Sequence, residues 1–285
     1  MNPDSRGPHV SVILPTWNSA DGIPAALESI LHQTCQDFEL IVVDDGSTDT
    51  TPEILAGYQD PRVVVIRHPE RYGTARACNT AINAVRGEFV GFISSGDEWD
   101  ERKLEEQLAA FSGLSPEFGV VYSDAWEITP QKNRAYWHNP EMTGPELLNR
   151  YATDYQAGTL GTGPLLVRRS YLEKAGPFDE QIPCFSGTDM IIRLQRTCRF
   201  HHIRKPLYTS RSRQALNANP FERSISQLLL LRKYPETLDN PVFLAQQIEM
   251  IRRNLVQARE GSSGVPGQAA QEPERGQYRE PVPEP

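Results

Sequence analysis

Cysteine is scarce in this 285-residue chain: four are present, Cys35, Cys78, Cys184 and Cys198, far apart and with no C-x-x-C pair. That spacing excludes a small disulfide-stapled scaffold and offers no thiolate metal site, so it reads as a set of reduced thiols. Long apolar runs are absent too. No stretch approaches the roughly 18–20 apolar residues that a membrane-crossing helix needs. The first nine residues are polar, so no secretory leader is expected and the expected location is cytoplasmic. Positive charge is in deficit, with 29 Lys and Arg against 37 Asp and Glu and a net charge of −8. Binding to a phosphate backbone relies on clustered positive charge, which excludes nucleic acid as the main partner. The chain also lacks any internal repeat.

What is present is a regular alternation of two periodicities. Val10 to Leu14 is a short β-branched run stopped by Pro15, and it reads as a buried strand. Ile23, Ala26, Leu27, Ile30 and Leu31 follow at helical spacing, with Asp21 as their cap. Phe38–Val43, Arg62–Ile66 and Glu88–Ile93 are the next strands, separated by helices from Pro52 and from Gly73 to Val85. This order specifies an α/β fold, a mostly parallel sheet with helices on both faces. Leu104, Leu108 and Phe111 mark a further helix closed by Gly113, and Asp189–Gln195 another. Val120–Tyr122 and Pro164–Arg168 are later strand candidates. Two helical patterns lie between Phe221 and Glu260. The last 25 residues hold five prolines and four glycines and almost no large apolar side chains, so they are expected to be disordered. The expected division is a flexible start (1–8), a main domain (9–213), a helical extension (214–260) and a tail (261–285).

In an open parallel sheet, ligands bind outside the carboxyl ends of the strands. Three polar clusters fall there: Pro15-Thr16-Trp17-Asn18, Asp44-Asp45-Gly46-Ser47-Thr48-Asp49, and Ser94-Ser95-Gly96-Asp97-Glu98-Trp99. A carboxylate at such an end accepts hydrogen bonds from base N–H or ribose hydroxyl groups, and a neighbouring aromatic stacks on the base. Taken singly, Asp44, Asp45 and Asp49 read as turn and cap residues. Three clusters at successive strand ends favour a ligand site.

These segments resemble family 2 glycosyltransferases of the GT-A fold. The likeness runs through Val10–Asn18, Ser29–Thr34, Phe38–Asp49, Gly73–Asn79, Gly87–Phe92 and Asp97–Trp99. It continues more faintly at Gly176–Glu180 and Asp189–Leu194, covering about the first 210 residues. It implies transfer of a sugar from a nucleotide-diphosphate donor to an acceptor hydroxyl or amine, with inversion; the acceptor is a glycan, a lipid-linked group or a small molecule. It implies a nucleotide site lined by Pro15, Thr16, Trp17, Asn18, Asp44, Asp45, Arg71, Ser94 and Ser95.

The departures from the family are specific. Members carry an Asp-x-Asp-type motif for Mg²⁺ or Mn²⁺ after the fourth strand. Here Ser94, Ser95 and Gly96 stand in its place, Asp97 is the first acid, and hydroxyls and glycine are poor ligands for either ion. Asp97 is therefore the sole candidate metal ligand, and reduced or absent metal dependence is expected. The family's base position, in Ser186-Gly187-Thr188-Asp189, falls on Gly187, and a histidine frequent after the core falls on Arg213. Asp97 and Asp189 remain as candidate catalytic bases, and capping or anchoring is the competing role for each. Arg211 and Arg213, at the end of a basic run that starts at Arg193, are candidate diphosphate ligands in place of a metal. The same run also reads as a solvated face or as a peripheral membrane contact. With these losses, a non-catalytic binding or scaffold domain is the alternative to an enzyme.

Overall fold

A computed structural model describes residues 7–128, 133–137, 139, 161–211, 219–239 and 241–262. Alternation of apolar side chains along the first strand, β1 (Val10–Thr16), places Ile13 in one core and Val10, Val12 and Leu14 in the other. β2 (Phe38–Asp44) divides in the same way, with Ile41 and Val43 opposed to Leu40 and Val42. Both faces of the sheet are therefore covered. α1 (Ile23–Leu31) and α4 (Lys103–Ser112) pack on one face through Leu27, Ile30, Leu104 and Phe111. α3 (Thr74–Ile82), α5 (Arg169–Ala175) and α6 (Ser186–Gln195) cover the other through Cys78, Leu172, Met190 and Leu194. The short α2 (Thr51–Ala56) follows β2.

The nine-stranded sheet runs β3-β2-β1-β4-β8-β6-β9-β5, with β7 paired to β6. β3 is Val63–Arg67, β4 Phe89–Phe92, β5 Glu98–Trp99, β6 Phe118–Ile128, β7 Arg134–Trp137, β8 Leu165–Arg168 and β9 Arg199–Ser210. β1 to β4 are mutually parallel, β8 is antiparallel to β4 and β6, and β6 and β9 are parallel again. β2 and β3 lie on one side of β1 and β4 on the other, so the strand order reverses at β1/β4. The crevice that such a switch point opens lies where the three polar clusters converge.

β9 departs from the sequence reading, which saw a basic run. Phe200, Leu207 and Tyr208 are buried, and Pro206 sits at the break in register opposite Asp124, where a missing N–H is tolerated. The basic side chains of this region are dispersed among acids. Arg193 pairs with Asp189, Arg196 with Glu236, Arg199 with Glu117, Lys205 with Glu106 and Arg211 with Glu98. Among the described residues, these five form matched pairs.

The chain ends in α7 (Pro220–Lys233), a 3-10 turn (Pro235–Asp239) and α8 (Pro241–Ser262). Tyr234, at the end of α7, is buried against α6. The extension is thus joined to the main domain by a core residue. The four cysteines are unpaired, and among the described residues no helix is long and apolar enough to cross a membrane. Most of the proposed tail lies outside the described residues.

One core residue is unexpected. Lys103, in the first turn of α4, is fully buried, donates to Gln107 Oε1 at 2.6 Å and lies 4.2 Å from the centre of the Trp99 ring. Burial holds the pKa of its amine well below the ordinary lysine value. The unfolded chain consequently binds more protons at this site than the folded one, so Lys103 makes stability rise with pH on the way up to the ordinary lysine value, about 10.5. Urea midpoints measured across that range should climb in the natural protein, and that part of the slope should vanish in Lys103→Met. An equal slope in the variant would show that the amine is protonated inside.

Candidate active site

Strand ends and the turns that follow them build the site. Asp45 N–H donates to Thr16 O at 2.8 Å, locking the ends of β1 and β2 together. At Asn18 the chain takes a left-handed conformation (φ 45°), and the residue is held across the crevice mouth. Its N–H donates to Ser47 Oγ at 2.9 Å, and its Oδ1 accepts the Thr48 N–H at 2.8 Å. Asp44 accepts the Ser47 N–H at 3.0 Å and pairs with Arg67 at 3.3 Å. Asp49 accepts N–H groups from Ala20 and Thr51, and hydrogen bonding from Thr51 outweighs desolvation to hold its carboxyl below the usual range. Asp44 and Asp49 therefore shape the loop.

Asp45 does more. Its buried carboxylate accepts the N–H groups of Tyr72 at 3.0 Å and Gly73 at 2.7 Å, and it meets His68 Nδ1 at 2.8 Å. These bonds pin the turn before α3 over the end of β2. Gly46, at φ +70°, allows that approach; a Cβ there would lie 2.4 Å from the Glu70 carbonyl carbon. The pinned turn presents Arg71, whose guanidinium lies 3.8 Å from the centre of the Trp17 ring, and Tyr72, which stacks under Arg76 at 4.0 Å. Trp17 is 40% exposed and Tyr72 37%. Two aromatic–guanidinium pairs thus form one rim of the crevice. At the end of β1, Thr16 Oγ1 is buried with no hydrogen-bond partner among the described residues. Pro15 precedes it in β1 and pairs in register with Val43.

The opposite rim is the loop after β4. Ser95 is buried and donates to Ser19 Oγ at 2.7 Å, Ser94 is half-buried, and Asp97 N–H donates to Ser94 O at 3.0 Å. Asp97 is only 2% exposed; it accepts the Tyr208 hydroxyl on Oδ2 and the Arg211 N–H on Oδ1 at 2.8 Å. Burial first, and the Asp97 charge next, push the Tyr208 phenol well above its usual pKa. The Arg211 guanidinium is turned onto Glu98, which ties up the side chain expected to bind diphosphate. Arg213 lies outside the described residues.

From Asp97 a wall of contacts leads toward the position of the family's base. A Cβ at Gly163 would strike the Tyr208 ring at 2.5 Å, and the neighbouring Thr162 is the residue that a Cβ at Gly187 would meet, at 3.5 Å. Two residues further on, Asp189 is fully buried and fully engaged. Arg193 Nε and Nη2 approach its Oδ2 at 2.9 and 2.8 Å, while the Tyr234 hydroxyl and Lys233 Nζ approach Oδ1 at 2.6 and 2.8 Å. That geometry anchors α7 to α6 and gives Asp189 a positioning role. Asp189→Ala leaves Arg193 without its carboxylate and the Tyr234 hydroxyl without its acceptor, while Lys233 keeps Asp179, and is expected to lower stability by about 2 kcal/mol, read as a shift in the urea midpoint. No shift would remove the anchor.

A further cluster escaped sequence reasoning. Asp124, buried on β6, accepts the Tyr136 hydroxyl at 2.6 Å and the Asn139 N–H at 2.8 Å, and meets His202 Nε2 at 2.8 Å. Desolvation acts to raise its pKa, but these three bonds together hold it below the usual value. The only available signal was an isolated Asp after a strand, because its partners lie 12 to 78 residues away in sequence.

Among the described residues, the donors around Asp97 make a poor site for a divalent cation. Asp97 is the single acid in its loop, both of its oxygens carry protein donors, and among the described residues no group of three His, Cys, Asp or Glu side chains converges.

The sequence model described as Glycosyl transferase family 2 matches residues 11–176, from the first strand to the helix after β8. The chain belongs to glycosyl transferase family 2. Within that family it is 31% identical over 223 residues to the O-antigen biosynthesis protein RfbC of Myxococcus xanthus, covering 75% of this chain and 17% of RfbC. It is 43% identical over 103 residues to the putative teichuronic acid biosynthesis glycosyltransferase TuaG of Bacillus subtilis, covering 35% of this chain and 41% of TuaG. The chain thus spans less than half the length of either relative. Among solved structures, S. aureus TarS 1–349 in complex with UDP-GlcNAc superposes with a TM-score of 0.63 at 22% identity, over 86% of this chain and 71% of that one. The mannosyltransferase PcManGT from Pyrobaculum calidifontis, in complex with GDP-Man and Mn²⁺, gives 0.60 at 18% identity, over 92% and 77%. The curled, mostly parallel sheet of this glycosyltransferase-family chain is the GT-A fold.

Proposed function

We propose that the protein transfers a sugar from a nucleotide-diphosphate donor to an acceptor hydroxyl or amine, with inversion and with little or no dependence on a divalent cation. The observation that carries this reading is the crevice at the β1/β4 switch point. It combines an exposed Trp17 face, an unpartnered buried Thr16 hydroxyl and the turn pinned by Asp45. The base of the donor stacks at Trp17 and Arg71, where the ring and the guanidinium both offer flat faces. Arg71 and Arg76, exposed at the start of α3, are the cations nearest to hand for the diphosphate, since Arg211 is held by Glu98. Asp97, fixed by Tyr208 and the Arg211 N–H, is the acid on the donor side. Two of the structural neighbours are complexes with UDP-GlcNAc and GDP-Man, which supports a donor of this class.

A second reading is favoured by one observation, the glycine at 187 where the family places its base: a domain that binds a nucleotide and does no chemistry. Incubation with a panel of nucleotide sugars, with and without Mn²⁺ and EDTA, separates the two. The transferase reading expects release of free nucleoside diphosphate from at least one donor, changed less than about threefold by EDTA. Binding without release supports the second reading, and steep dependence on Mn²⁺ refutes the metal-poor site.

A further inference from the structure

Near its start, α7 holds an arginine without a counter-charge. Arg223 is half-buried, and its Nε is shut off from water with no hydrogen-bond acceptor among the described residues. It makes no ion pair there either, whereas Arg193, Arg196, Arg199 and Arg211 are each matched to an acid. A guanidinium N–H withdrawn from water is costly when nothing accepts it, so the place suits a ligand that brings acceptors. Arg71 and Arg76 share the lack of a carboxylate, their described side-chain contacts being the faces of Trp17 and Tyr72.

The fold brings Arg223 to the side of the crevice where Arg71 stands. Cys184 N–H donates to Ser226 Oγ at 3.0 Å, which ties the segment before α6 to α7 one turn beyond Arg223. Burial raises the Cys184 thiol above its ordinary pKa, and the charges that act on it are Glu222, Arg223 and Arg71. Both guanidiniums therefore border one half-buried thiol. Glu222 is exposed and forms no pair with Arg223 among the described residues. Cys184 also lies in the interval that a donor has to bridge. On one side is Trp17 under Arg71. On the other, three residues further along the chain, is Gly187, from which Thr162, Gly163 and Tyr208 lead to Asp97. In a nucleotide-diphosphate sugar the diphosphate joins base to sugar, so it passes between these two sides.

We infer that Arg223 grips the diphosphate of the donor opposite Arg71, which makes α7 part of the donor site. This rests on the nucleotide-diphosphate reading above and adds to it a ligand from outside residues 11–176, the segment that the family model matches. The helix is fastened at its middle by Ser226 and at its end by Lys233 and Tyr234 on Asp189, so the arginine is carried on a fixed support. Two guanidiniums on one diphosphate supply paired, charge-assisted hydrogen bonds and offset the charge of the leaving group.

The test is calorimetric titration of the full chain with UDP and GDP, and with uridine and guanosine beside them. The diphosphate that binds the natural protein is expected to bind Arg223→Gln about tenfold more weakly, while affinity for its nucleoside stays the same. Arg223→Lys, which keeps the charge and loses the fork of donors, should fall in between. Unchanged diphosphate affinity in Arg223→Gln overturns the inference and leaves the donor reading standing. Equal weakening of nucleoside and diphosphate also overturns it, because Arg223 then only shapes the fold. If neither diphosphate binds the natural protein, the donor reading itself falls and takes the inference with it.

Discussion

Gly187→Asp is expected to raise donor turnover about a hundredfold. General-base assistance contributes on the order of 10²- to 10⁴-fold to a proton transfer, and the resemblance to the family puts its base at this position. The backbone is ready for it: Gly187 lies in the first turn of α6, and a Cβ there meets only Thr162, Cγ2 at 3.5 Å and Oγ1 at 4.0 Å, which are ordinary contacts. The first turn of a helix also favours a carboxylate electrostatically. Release of nucleoside diphosphate, measured with whichever donor the natural protein turns over or binds, gives the number. Gly187→Ala serves as the control for a change in helix propensity alone. If Asp and Ala behave alike, position 187 does not face the acceptor.

Asp45→Ala is expected to cost about 3 kcal/mol of stability and to weaken nucleotide binding more than tenfold. The buried carboxylate accepts two backbone N–H groups and faces His68, and its removal leaves those donors without a partner. The energetic effect follows from the buried bonds, and the binding effect from the turn they hold. Without them Tyr72 and Gly73 are released, and with them the Arg71 guanidinium from the face of Trp17. Chemical denaturation reports the first effect and calorimetric titration with nucleoside diphosphates the second. Intact binding in a destabilised variant would confine Asp45 to the fold.

The parallel half of the sheet was readable because its strands are short, nearly continuous apolar runs, Val10–Leu14, Phe38–Val43, Arg62–Ile66 and Glu88–Ile93, each followed by polar or turn-forming residues. The end of β1 and the Asp44–Asp45 turn were readable for the same reason, and Asp45 N–H does meet Thr16 O at 2.8 Å there. β9 was hidden because its inward residues, Phe200, Leu207 and Tyr208, are interleaved with arginines, lysine and Pro206. Its charges looked like a patch because the acids that match them, Glu98, Glu106 and Glu117, lie about a hundred residues earlier. The pairing of Arg211 with Glu98 was hidden for that reason. The settings of Asp97 and Asp189 were out of reach on similar grounds, since Tyr208 and Tyr234 arrive from elements 111 and 45 residues away. Lys103 defeated hydropathy altogether: an amine in the core is legible only once Gln107 and Trp99 are seen around it.

The anchoring of Asp189 also bears on how the protein can be shortened. The family match stops at residue 176, and the last strand ends at Ser210, so either point invites a trimmed version for expression. Such a version would lack Lys233 and Tyr234, the groups that neutralise and seal one oxygen of an interior anion. Its smallest well-behaved form should therefore include the first terminal helix through Tyr234, and pieces cut earlier should prove insoluble or prone to proteolysis at the α6 end.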